Sequence, residues 1–309
     1  MQHRPPSFAF AIPCHNEQAN IGALLEVLSA VRDRNCYAER IVVVSDASTD
    51  GTDEIVATFA AAAALSIIHV RRDERLGKSS AINRCLEELV DTKIVVMLSA
   101  DILPTAGCVE RILAAFDVAT VGVAGGRNVP SGDIALWSVR VSRVLWTFHH
   151  FMALSMPKTT EITAFRNIGI RLDESCLVDE AEIERLIRAT GLTVAYIPDA
   201  IIQTPAPLTL QDYWRQRVRV TIGHARLRQR SSFEISTFSF RARAAGLRRY
   251  LKESPRDVPA LVLGVLLELA IYVVAFLVVA FRPEGSGVWS PIATTKRPLN
   301  EDPRKPSGM

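Results

Sequence analysis

Four short stretches concentrate side chains that could work on one substrate. They are Ile12–Glu17 (IPCHNE), Val44–Thr52 (VSDASTDGT), Leu76–Asn83 (LGKSSAIN) and Leu98–Asp101 (LSAD). Asp101 is a natural ligand for a hard cation such as Mg²⁺ or Mn²⁺, because such ions take carboxylate oxygen. Lys78 is a point charge suited to phosphate. Asp179 and Glu180 form a second acidic pair, and Arg215–Val220 (RQRVRV) follows with guanidinium groups that can grip phosphate through two parallel hydrogen bonds.

The elements that must hold these groups can be read from hydrophobic pattern. Phe8–Ile12, Ile41–Val44, Ser66–Val70, Ile94–Leu98 and Val121–Ala124 read as strands, with a short strand at Val194–Ile197. Helices are expected over Glu17–Arg32, Thr52–Ala64 (with Thr52 as cap), Ser79–Leu89, Ile134–Met156, Asp179–Ala189 and Leu210–Gln229. Strands alternating with helices imply an α/β fold with a mostly parallel sheet and helices on both faces. Three of the four stretches end a strand, so their polar groups share the edge where open α/β sheets bind ligands.

In this order the segments resemble the family-2 glycosyltransferases, which move a sugar from a nucleotide diphosphate to an acceptor. The resemblance covers about Ser7 to Gly223 and implies a GT-A (Rossmann-like) fold. It places Pro13, Asn16 and Glu17 along the nucleotide pocket, with Cys14 and His15 as incidental occupants. Asp46 contacts the nucleobase in relatives, and Lys78 matches the segment near the diphosphate. Asp50 and Gly51 shape the turn into the next helix. Asp101 closes what is usually Asp-x-Asp in the family; here Ser99 stands first. The acidic pair of relatives is Glu-Asp, inverted here to Asp179-Glu180; aligned on it, Glu180 takes the position of the catalytic base and Asp179 stays a candidate. Gln216 and Arg219 match the Gln-x-x-Arg part of a Gln-x-x-Arg-Trp segment whose Trp is Val220 here.

The resemblance implies an inverting, divalent-cation-dependent reaction: one displacement, one base, no covalent intermediate. The expected donor is a UDP-sugar and the expected acceptor a growing glycan or lipid-linked saccharide. A polyprenyl-phosphate acceptor is the rival within enzymes. A catalytically silent scaffold or binding subunit is the rival of another class, and Ser99, the inverted pair and Val220 are the features that favour it.

The remaining sequence bounds the setting. The net charge of +3 over 309 residues does not suggest a nucleic-acid binder. Five dispersed cysteines without a Cys-x-x-Cys pair fit reduced thiols. Met1–Pro6 is polar and Phe8–Ile12 is too short for a signal-peptide core. Val258–Phe281 is a 24-residue apolar run broken only by Glu268, long enough to cross a bilayer of about 30 Å. Arg215–Arg256 holds twelve Lys or Arg and two acidic residues, whereas Arg282–Met309 holds five and three. That bias predicts a single-pass inner-membrane protein with its catalytic domain in the cytoplasm and its tail outside. Glu268 is expected to be protonated or to face protein. The organisation expected is a catalytic domain over 7–230, a basic juxtamembrane segment over 231–257 lying on anionic lipid, a transmembrane helix over 258–281 and a disordered tail over 282–309. Ile134–Met156 either touches the bilayer or covers the sheet. With one span, any export would need a membrane-protein partner.

Overall fold

The computed structural model describes residues 7–33, 36–231, 240–253, 257–281, 288 and 292–298. The chain runs through β1 (Phe8–Cys14), α1 (Ile21–Ser29), β2 (Arg32–Asp33), β3 (Cys36–Tyr37), β4 (Ile41–Asp46), α2 (Thr52–Ala62), β5 (Ile67–Arg72), α3 (Lys78–Glu87), β6 (Ile94–Leu98), β7 (Leu103–Pro104) and α4 (Cys108–Ala114). It continues through β8 (Val121–Ser131), α5 (Trp137–Ser155), β9 (Ile162–Arg166), α6 (Asp179–Arg188), β10 (Thr193–Pro205), α7 (Leu210–Arg230), α8 (Phe240–Glu253) and α9 (Val258–Phe281).

Eight strands form one sheet in the order β5-β4-β1-β6-β9-β8-β10-β7, and β2 pairs with β3 separately. β5, β4, β1 and β6 are parallel to one another. Every residue of β1, β4 and β6 is buried, as continuous apolar strands covered on both faces must be. Alternation within β1 shows the two layers. Phe8, Phe10 and Ile12 pack with α1 and α4, while Ala9 and Ala11 face α3 and α6. The small side chains on the second face let α3 lie close to β1.

Beyond β6 the sheet changes direction. β9 is antiparallel to both β6 and β8, so it joins the parallel half to β8 and β10. β9 is absent from the sequence expectation because ITAFR is a five-residue run without turn residues of its own. β10 is 13 residues long, not a short strand over Val194–Ile197, because it pairs with β8 along its length and with β7 at its far end. An irregularity between Tyr196 and Ile201 takes up the register, and at Gly126 a Cβ would stand 2.4 Å from the Ala200 carbonyl oxygen. Only glycine fits that approach.

Two helix starts also differ from the sequence reading. α1 begins at Ile21, after a turn closed by the Asn20 and Ile21 amides donating to the Glu17 carbonyl. Gly51, not Thr52, is the N-cap of α2. The Thr52 hydroxyl instead accepts from the Glu17 amide at 2.8 Å and donates to Asp50 at 2.5 Å.

A third layer is helical. α5, α7 and α9 share a cluster around Val141, Val144, Tyr213, Ala260 and Ile271, and Tyr250 of α8 joins it. α5 packs on β8 and beneath α8 and α9, so it covers the sheet. α9 keeps Ala260, Gly264, Ile271 and Ala275 inward, while Val262, Leu266, Leu269, Val273, Phe276 and Phe281 are exposed. Glu268 faces protein: it accepts from Arg217 at 2.8 and 2.9 Å and from the Tyr213 hydroxyl at 2.9 Å.

Part of the expected tail is described. Residues 292–298 fold onto the sheet edge instead of leaving it, with a 3₁₀ turn at Ala293–Thr295. Thr294 donates to Asp212 at 2.9 Å, Arg297 donates to the Ala206 carbonyl at 3.3 Å and Lys296 donates to the His15 carbonyl at 3.1 Å. Hydroxyl and cationic groups hold the segment there, so its polarity docks it. The rest of the expected tail, and residues 232–239 and 254–256 of the basic segment, lie outside the described residues. Within that segment, 240–253 is a helix with exposed Arg241, Arg243, Arg248 and Lys252.

Candidate active site

The carboxyl ends of β1 and β6 open into a cavity of about 350 Å³, closed on the far side by α6 and α7. Pro13 near the end of β1 and His15 and Glu17 after it line the cavity, and Ser99, Asp101 and Ile102 follow β6 into it. His15 lines the cavity beside Cys14. Burial lowers its pKa, while its Nδ1 lies 2.8 Å from the Asp46 carbonyl oxygen.

Backbone strain marks this edge. Asn16 has φ 54° and Ala47 φ 58°, left-handed values uncommon for residues with a Cβ. Asn16 ties the two loops together: its amide donates to Ser48 Oγ at 3.1 Å, and its Oδ1 accepts from the Thr49 amide at 2.8 Å. Asp46 is buried, and its carboxylate accepts from the Leu76 amide at 3.0 Å, the Gly77 amide at 2.8 Å and Arg72 at 3.3 Å. Asn16 and Asp46 therefore shape the loops, and neither lines the cavity. Gly77, at φ 98°, caps α3 and turns Lys78 inward.

Lys78 joins the two halves of the site. Its Nζ lies 2.8 Å from Asp179 Oδ2 and 3.3 Å from Glu180 Oε1, both at the start of α6. Burial works against the ammonium, but the charges of Asp179 and Glu180 outweigh it and hold the pKa above the ordinary lysine range. Burial and the Asp179 charge push the Glu180 carboxyl up, with Lys78 opposing. The inverted acidic pair is thus built into the cavity.

Three more groups enter that no sequence signal singled out. Glu161, just before β9, faces the acids of both halves; burial and repulsion from Glu180 raise its carboxyl to about 8. Glu17 is raised to about 7 by burial and the Asp101 charge, with Lys296 opposing. Lys296 pairs with the Glu17 carboxylate from the C-terminal segment. Lys158 lines the α5 and α7 side, with Nζ 2.6 Å from His149 Nδ1. Gln216 and Arg219 line that side too, and among the described residues Arg219 Nε is buried without a hydrogen-bond partner. Arg217 is taken by Glu268, and Arg215 is exposed beside Asp212 at 3.6 Å.

A divalent cation is implied by this kind of site. Among the described residues no group of three His, Cys, Asp or Glu is arranged to hold a metal. The donor chemistry nevertheless fits: Asp101 offers a carboxylate, and its charge raises both Glu17 and Glu161. Such a crowd of carboxylates suits a hard cation, with Asp101 the residue that would hold it.

A mostly parallel sheet with polar loops at its carboxyl edge and an acidic helix start across the cavity is the GT-A arrangement of a glycosyltransferase. The sequence model for glycosyl transferase family 2 matches residues 9–252, and the chain belongs to that family. No curated protein sequence matches it. Among solved structures it is similar to the mannosyltransferase PcManGT of Pyrobaculum calidifontis, in complex with GDP-Man and Mn²⁺. The identity is 19%, 91% of this chain and 89% of that chain are covered, and the TM-score is 0.63. It is also similar to glucosyl-3-phosphoglycerate synthase of Mycobacterium tuberculosis, in complex with Mn²⁺, UDP-glucose and glycerol 3-phosphate. There the identity is 17%, with 76% and 88% covered and a TM-score of 0.52.

Proposed function

We propose that this glycosyltransferase moves a sugar, with inversion, from a nucleotide-diphosphate sugar, preferentially a UDP-sugar, to a glycan or lipid-linked saccharide at a membrane surface. The observation that carries the reading is one cavity with Asp101 at its sheet edge, Glu180 opposite and Lys78 against the acidic pair. Both neighbours hold nucleotide-sugar donors with Mn²⁺, UDP-glucose in one and GDP-Man in the other.

Pro13, Glu17 and the loop set by Asn16 and Asp46 form the donor side. Asp101 would hold Mg²⁺ or Mn²⁺, which when bound neutralises the leaving diphosphate. Lys78, Gln216 and Arg219 stand along the path of the phosphates. Glu180 takes the proton of the acceptor hydroxyl, and its raised pKa makes it a stronger base than a solvated glutamate. Asp179 fixes Lys78 and is the second candidate for that role.

The exposed apolar face of α9 and the basic outer face of α8 form the membrane-binding surface. The helix is long and apolar enough to cross a membrane. Lys296, fifteen residues after Phe281, lines the same cavity, which supports a reading in which residues 292–298 stay on the catalytic side and α9 embeds without crossing.

Glu180→Gln tests the base. Transfer should fall by about 10²-fold or more, with nucleotide affinity unchanged. Unaltered turnover would reject Glu180 and turn attention to Asp179→Asn.

A further inference from the structure

Lys158 is a buried amine that the reaction above does not use; burial pushes it down to about 7, with the Glu184 charge opposing. It is 8% exposed, lines the cavity and follows α5 by three residues. Among the described residues it has no carboxylate within ion-pair distance; its polar contact is His149 Nδ1 at 2.6 Å. Glu184, the acid whose charge bears on it, is committed elsewhere, accepting from the Thr159 amide at 2.9 Å and from Arg188 at 3.0 Å.

The surroundings add no negative charge to spare. Arg217 and His224 of α7 stand near it, and the Arg217 charge is matched by Glu268. When protonated, Lys158 carries three N–H donors, and the His149 Nδ1 lone pair at 2.6 Å can accept one of them. Accepting at Nδ1 leaves the imidazole proton on Nε2, a further donor. A cation this enclosed is costly unless an anion meets it.

Its position says which substrate would bring that anion. Thr159, the next residue, donates its hydroxyl to the Glu180 carbonyl at 3.0 Å. The loop after β1 and Asp101 belong to the sheet edge, whereas Lys158 and His149 belong to the helical wall that carries α9.

We propose that Lys158 and His149 form an anion seat for a phosphate group on the acceptor, holding it beside Glu180. The proposal rests on the reading that Glu180 faces the acceptor. The phosphate belongs either to a lipid carrier entering from the α5–α7 wall or to a soluble sugar or polyol phosphate.

The full chain in detergent is titrated with geranylgeranyl phosphate, geranylgeraniol and glycerol 3-phosphate, and separately with UDP and GDP in Mn²⁺. Wild type, Lys158→Met, Lys158→Arg and His149→Gln are compared. A phosphate-bearing probe should bind wild type, weaken about tenfold in Lys158→Met and recover in Lys158→Arg, with nucleotide affinity constant. Lys158-dependent binding of geranylgeranyl phosphate alone identifies a lipid phosphate; the same dependence for glycerol 3-phosphate identifies a soluble one. Equal binding of geranylgeraniol, unchanged phosphate affinity in Lys158→Met, or parallel loss of nucleotide binding overturns the seat. If Lys158→Met does not fold, His149→Gln decides: weaker phosphate binding supports the seat and unchanged binding overturns it. Wild type that binds neither nucleotide defeats the donor reading itself, a result distinct from nucleotide binding with no Lys158-dependent phosphate.

Discussion

Glu161 and Glu17 are acids held above their ordinary range, to about 8 and about 7, chiefly by burial and then by neighbouring carboxylates. A raised folded-state pKa means that folding favours the protonated form. The associated stability is full below about pH 4.5 and is lost as pH rises through the folded values. The melting temperature of cation-free protein should therefore fall between about pH 4.5 and 8, and Glu161→Gln should flatten that decline. A slope equal to wild type would show that Glu161 is not held protonated. Mn²⁺ should reduce the decline and release protons on binding, since a cation offsets the crowding.

Legibility at this scale depended on where a residue stands. Asp101, Lys78 and the Asp179-Glu180 pair could be read because each opens or closes a periodic element. Glu161, Lys158 and Lys296 sit in connections or near the C-terminus, without periodic neighbours, and only folding brings them into one cavity. Asp46 is legible as the acid that ends a strand but its partners are not, because the donors to its carboxylate are the amides of Leu76 and Gly77, 30 and 31 residues away.

Among elements, the α7–α9 pair is the most informative. Glu268 interrupts an apolar run, and the structure answers it with Arg217 and the Tyr213 hydroxyl. Removing one partner of a buried pair leaves a charge uncompensated. Arg217→Ala should therefore cost about 3 kcal/mol of stability in detergent unfolding, while Arg217→Met with Glu268→Leu should be near neutral. Equal losses in the two variants would show that packing, not charge, dominates. The parallel half of the sheet was readable from continuous Val and Ile runs. The reversed strand β9 was not, because direction in a sheet is set by the strand's neighbours and a five-residue apolar run carries no sign of it.

In the proposed function, the apolar face of α9 meets the membrane and the cavity at the sheet edge meets the nucleotide, with α5 and α7 between them. The apolar face of α9 should keep the protein in membranes through alkaline carbonate. A thiol reagent applied to a Lys296→Cys variant in sealed vesicles should label it from the side that exposes the catalytic domain. Labelling from the opposite side would restore a simple crossing helix with an external tail. Hydropathy marks the helix but not the place of residues 292–298, because that segment is short and polar and is held by contacts with Asp212, Ala206 and His15.

The account depends most on a working donor site at Asp101. The direct measurement is titration of the detergent-purified full chain with UDP and GDP, with and without Mn²⁺, beside Asp101→Ala. The account predicts Mn²⁺-dependent binding, UDP preferred, that is lost in the variant. No binding of either nucleotide, or binding indifferent to Mn²⁺ and to Asp101, would contradict it.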